Sequence, residues 1–75
     1  MLDKNVKTDI VCRYLIGRFP EAELPALEAG LVHLEDHSDL FEPDPDGGDD
    51  RNEFYAMVRD TVEDMVEADQ FPIKS

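Results

Sequence analysis

The chain has 75 residues, 19 of them acidic and 7 basic, for a formal charge of −12 at pH 7. That length allows one domain with one modest core and leaves no room for separate cofactor and substrate domains. An apolar share of 41% fits a folded domain rather than a disordered acidic tail, and the lack of clustered Lys and Arg argues against direct nucleic-acid binding.

The apolar runs Ile10 to Cys12 and Tyr14 to Ile16, and the longest one, Phe54 to Val58, are too short for a transmembrane helix, so no membrane partner is expected. Arg13 splits the only apolar region that could serve as a secretory signal, and none is expected. Cys12 is the single cysteine and cannot form an internal disulfide, which points to a reducing compartment and a cytoplasmic location.

Three amphipathic segments follow one another. The first is predicted from about Asp3 to Gly17, with Val6, Ile10, Val11, Tyr14 and Leu15 at helical spacing. Asp3 or Asn5 can cap it, and Gly17 with Pro20 ends it. Cys12, Ile16 and Phe19 widen its apolar face, leaving Asp9 and Arg13 as the wet stripe. A helix apolar over most of its circumference seeks burial on more than one side, either at the centre of a bundle or along a homodimer seam.

The second segment opens at Leu24-Pro25, where a proline in the first turn loses no hydrogen bond. Leu24, Leu27, Leu31, Leu34 and Phe41 keep a three–four spacing, with Ser38 in the one polar slot. Gly30 weakens that helix by about 1 kcal/mol relative to alanine and predicts a close helix–helix contact.

Residues 42–50 hold five carboxylates, two prolines and two glycines, a composition that dictates an acidic loop. The third segment is predicted from about Arg51 to Ala68. Its inward face is Phe54, Met57, Val58, Thr61, Val62, Met65 and Val66. Asp50 is the expected N-cap, with Glu53 placed as in a capping box. Phe71-Pro72 lies past its end and is expected to fold back as an apolar tail. The fold class is therefore all-α: a small three-helix bundle, residues 1–75 as a single domain, with an acidic loop between helices two and three.

Charge is distributed unevenly. Residues 1–20 carry a net +2, and residues 21–75 carry −14. Glu53, Asp60, Glu63, Asp64 and Glu67 occupy the third helix opposite Phe54 and Met65. Asp60–Asp64 and Glu63–Glu67 are like charges at i,i+4, each destabilising by a few tenths of a kcal/mol, and Arg59 is placed to offset one of them through Glu63. Asp64, Glu67 and Asp69 lie near the helix C-terminus, where the macrodipole disfavours anions. A helical row of carboxylates recurs about every 5–6 Å along one face, comparable to the roughly 7 Å between phosphates along a nucleic-acid strand.

Glu42-x-Asp44-x-Asp46-Gly47-x5-Glu53 resembles an EF-hand calcium loop, which takes oxygen ligands at positions one, three, five and twelve. Leu40-Phe41 before it and Phe54, Met57 and Val58 after it resemble that motif's flanking helix positions. It departs from the pattern in opening on Glu, in Pro45 constraining Asp44, in Asp49 standing at an apolar position, and in lacking a second loop. His33-Leu-Glu-Asp-His37 resembles the zinc-protease signature His-x-x-Glu-His, with Asp at its fourth position. Both histidines can share one helical face, and a structural role at the helix C-terminus explains them. Cys12 mid-helix among apolar residues reads as a buried small hydrophobe with a raised thiol pKa.

No cofactor is expected and no catalytic residue is assigned. The expected function is that of a non-enzymatic acidic protein that binds the basic surface of a partner protein. A nucleic-acid-binding partner inhibited by charge mimicry is the concrete form. The expected contact residues are Asp44, Asp46, Asp49, Asp50, Asp60, Glu63, Asp64 and Glu67. The alternatives are an EF-hand-like calcium-binding helix–loop–helix and a homodimeric assembly subunit joined through the first helix.

Overall fold

Two of the helices begin where a carboxylate accepts from an unpaired backbone N–H of the first turn, and the other where a proline leaves one fewer N–H to satisfy. The computed structural model describes residues 3–42 and 50–73. Among these residues the chain forms three helices and no strand: α1 (Lys4–Arg18), α2 (Leu24–His37) and α3 (Arg51–Glu67). The Asp3 carboxylate accepts from the Val6 N–H at 2.9 Å and starts α1. Asp50 does the same for α3 through Asn52 N–H, also at 2.9 Å. Pro25 stands in the first turn of α2, whose N-cap, Glu23, makes no side-chain capping bond.

α1 is the central helix. It packs against both α2 and α3, while α2 and α3 do not approach each other within 8 Å between Cα atoms among the described residues. The core consists of Val11, Tyr14, Leu15 and Phe19 from α1 and its C-cap, Leu34 from α2, Phe54, Val58 and Val62 from α3, together with Leu40, Phe71 and Ile73. The outward face of α1 exposes one large apolar side chain, Ile16, beside the Asp9–Arg13 ion pair at 3.0 Å. The breadth of its apolar surface is accounted for by burial on two sides within one chain.

α2 stops sooner than its apolar spacing predicts. The Ser38 hydroxyl donates to the Leu34 carbonyl, taking over the acceptor that a continuing helix would have used, and Ser38 itself is extended at φ −146°, ψ 165°. The chain then turns, with Glu42 N–H donating to the Asp39 carbonyl at 3.2 Å. The turn sends Leu40 into the core at 4% exposure, with Phe41 packed against it.

The end of α3 is a Schellman turn. Gln70 N–H reaches the Met65 carbonyl at 2.7 Å and Asp69 N–H reaches Val66 at 3.1 Å, with Asp69 left-handed at φ 57°. The reversal returns Phe71 and Ile73 to the core, 5% and 6% exposed, which confirms the folded-back tail and stabilises the domain by about 1.5–3 kcal/mol per side chain. Phe71 stacks on Phe19 with centroids 5.7 Å apart.

The tail also supplies the partner for Gly30, in place of the expected helix. A Cβ at Gly30 would lie 2.9 Å from Ile73 Cδ1 and 3.2 Å from Phe71 Cζ, so the glycine admits the tail. Two further departures concern the core. Met57 is 53% exposed instead of facing inward, and Cys12 is only half-buried. Its thiol pKa is nevertheless raised, by burial first and by Asp9 second.

Two substitutions test this arrangement. Asp69→Gly removes both a left-handed side chain and an anion at a helix C-terminus. It should stabilise the fold by about 0.5–1 kcal/mol in urea denaturation. Gly30→Leu should cost about 1–3 kcal/mol by displacing the tail, measured the same way.

Candidate acidic interface on α3

Successive residues of a helix turn by about 100°. With Phe54, Val58 and Val62 facing inward, Glu53, Asp60, Asp64 and Glu67 fall on the opposite side of α3, and all four are exposed. Both arginines of α3 lie off that row, although Arg59 Nε leans onto the edge of Asp60 at 3.6 Å, with both side chains more than half exposed. An exposed pair of that kind contributes little.

Glu63 belongs elsewhere. It points toward α1, where it accepts from Arg18 Nε at 2.8 Å and from the Tyr14 hydroxyl at 2.9 Å. The expected Arg59–Glu63 contact is replaced by these partners, which are distant in sequence and therefore invisible to helical spacing. The Arg18 hydrogen bond, followed by that of Tyr14, holds the Glu63 carboxyl below the usual carboxylate range. Burial first, then the Glu63 hydrogen bond, pushes the Tyr14 phenol up to about 12. Tyr55 packs edge-on against Tyr14 at 5.5 Å and closes this junction from the α3 side.

Of the eight residues expected to contact a partner, Asp60, Asp64 and Glu67 share the outward row. Asp50 is exposed at the N-terminus of α3 and is engaged as its cap. Glu63 is turned toward Arg18 and Tyr14 of α1, and Asp44, Asp46 and Asp49 lie outside the described residues. Glu53 joins the row, and Met57 lies between it and Asp60. The signal was the alternation of steps of four and three from Glu53 through Met57, Asp60 and Asp64 to Glu67, which places the methionine among the acids.

Lys7 is the other functional-type side chain that spacing did not single out. It is 8% exposed, donates from Nζ to the Glu42 carbonyl at 3.0 Å and lies 5.7 Å from the centre of the Phe54 ring. It ties the chain leaving α2 to α1 and α3, and the favourable face of an aromatic ring offsets part of the cost of burying a cation.

The EF-hand resemblance meets a different local structure, because Ser38–Glu42 is turn rather than incoming helix and α2 ends at His37. His33 and His37 do share a face, with their rings stacked at 4.3 Å and His37 Nδ1 3.2 Å from the His33 carbonyl. His33 also meets Phe71 edge-on at 5.8 Å, and its Nε2 is buried without a hydrogen-bond partner. Among the described residues no group of three or more His, Cys, Asp or Glu is placed to hold a metal ion. Nor is any helix among them long and apolar enough to cross a membrane.

Comparison of the chain with protein-family models, curated proteins and solved structures finds no match.

The junction of Glu63, Arg18 and Tyr14 carries opposite pH signatures. A depressed carboxylate contributes stability above its unfolded-state range and loses it as pH falls through the folded pKa. A raised phenol contributes stability below the ordinary tyrosine range, which is lost as pH climbs through about 12. Glu63→Gln should therefore destabilise the domain at neutral pH, with the gap closing in acid. In the same variant, ultraviolet titration should find the Tyr14 phenolate forming at lower pH.

Proposed function

We propose that this chain is a non-enzymatic acidic interaction protein that binds the basic surface of a partner through the outward face of α3. One observation carries the reading: Glu53, Asp60, Asp64 and Glu67 line up opposite the core, and the strong cationic contact available to α3, from Arg18, goes to Glu63 instead. Four carboxylates on one face raise the local concentration of cations and steer a basic partner from a distance. The like-charge pair Asp60–Asp64 and the anions in the last turns work against helix stability, as expected of a surface arranged for something besides folding.

The concrete form is an inhibitor that mimics nucleic acid and competes for the basic groove of a DNA- or RNA-binding protein. A cytoplasmic setting accords with the lone half-buried cysteine.

Affinity capture from a cell lysate tests the reading, using the wild-type chain beside the triple variant Glu53→Gln, Asp64→Asn, Glu67→Gln. The wild type should retain a basic nucleic-acid-binding protein at low salt and release it as salt rises. Duplex DNA should compete for that protein, and the variant should not retain it. Equal recovery by the variant would remove the α3 face from the mechanism.

A further inference from the structure

The carboxylate row does not stand alone on α3. Met57, the large apolar side chain that α3 leaves 53% exposed beside this row, occupies the turn between Glu53 and Asp60. Further along, Thr61, Asp64, Met65, Glu67, Ala68 and Gln70 line an open groove of about 540 Å³. Met65 and Ala68 are its apolar lining and Asp64 and Glu67 its charged lining, and no basic side chain among the described residues lines it. From Met57 to Ala68 the apolar positions cover about 16 Å, or three helical turns, beside a row of carboxylates of similar length.

We infer that the occupant of this face is a basic amphipathic helix of the partner, and not a featureless cationic surface. The inference rests on the reading of α3 as a cation-binding face and specifies its partner. A flat basic surface could satisfy the carboxylates but would leave Met57 and the groove uncovered. A helix with apolar residues at three–four spacing and Lys or Arg along one flank satisfies both at once. Methionine suits such a contact because its unbranched, polarisable side chain repacks against varied apolar shapes. At the groove, Asp64 and Glu67 add to the negative end of the α3 dipole. The partner's densest basic cluster therefore lies over the C-terminal turns of α3, and its apolar flank runs toward Met57.

The probe is a synthetic helix-forming peptide of about 18 residues, made of leucine and arginine in amphipathic order. A second peptide of the same composition has its leucines permuted around the helix. Both are titrated into the full chain at low salt and followed by fluorescence anisotropy. The ordered peptide should bind about 10-fold more tightly than the permuted one. Met57→Gln should abolish that preference while leaving the affinity for the permuted peptide unchanged. Ala68→Gln, which fills the groove from an exposed position, should do the same and guards against a folding artefact at a single site.

Equal binding of the two peptides to the wild type, or a preference that survives both substitutions, overturns the inference. In either case salt-sensitive binding of both peptides would leave the acidic-face reading standing. Binding of neither peptide removes both proposals. Self-association of the chain that Met57→Gln abolishes, seen by sedimentation, would give the face to a second copy and also overturns the inference.

Discussion

Both outer helices lean on α1. With no disulfide to restrain the unfolded chain and no α2–α3 pair of Cα atoms within 8 Å among the described residues, the domain coheres because one helix buries two of its sides at once. Tyr14 and Lys7 look toward α3, while Phe19, at the end of α1, stacks on the returning tail. A polar substitution at Val11 or Leu15, both wholly buried, would strike the support common to every other element.

The same helix divides the charge of the molecule. Arg18 reaches across to Glu63, and among the described residues the outward acids of α3 have no equivalent partner. Electrostatics thus has two roles on α3: a hydrogen-bonded contact that ties α3 to α1, and an outward row touched among the described residues only by the exposed Arg59–Asp60 pair. Apolar burial must outweigh the repulsion within that row. Phe54, Val58 and Val62 on the opposite side supply it.

Much of the fold was legible because local chemistry marks it. Asp3 and Asp50 announce the starts of α1 and α3, and Pro25 stands in the first turn of α2. The end of α2 was obscured because Leu31, Leu34 and Phe41 continue a helical rhythm past Ser38. A single hydroxyl competing for the Leu34 carbonyl interrupts it. Gly30 signalled a close approach without saying what approaches, since the tail arrives from the far end of the chain. At the candidate site, the row of Asp60, Asp64 and Glu67 followed from spacing alone. Glu63 and its Arg18 partner are 45 residues apart, and no local pattern connects them. Met57 was assigned inward on residue type, although its angular position groups it with the acids.

The covering of Gly30 by a tail has a dynamic consequence. Phe71 and Ile73 hold α2 through side-chain packing on a segment with no helical hydrogen-bond ladder of its own. Such a segment is held by fewer cooperative bonds than a helix, so local opening that releases the tail from Gly30 and Phe19 is expected at lower free energy than loss of a helix. Global unfolding, by contrast, must expose Val11 and Leu15 at the centre of α1 along with everything packed on them.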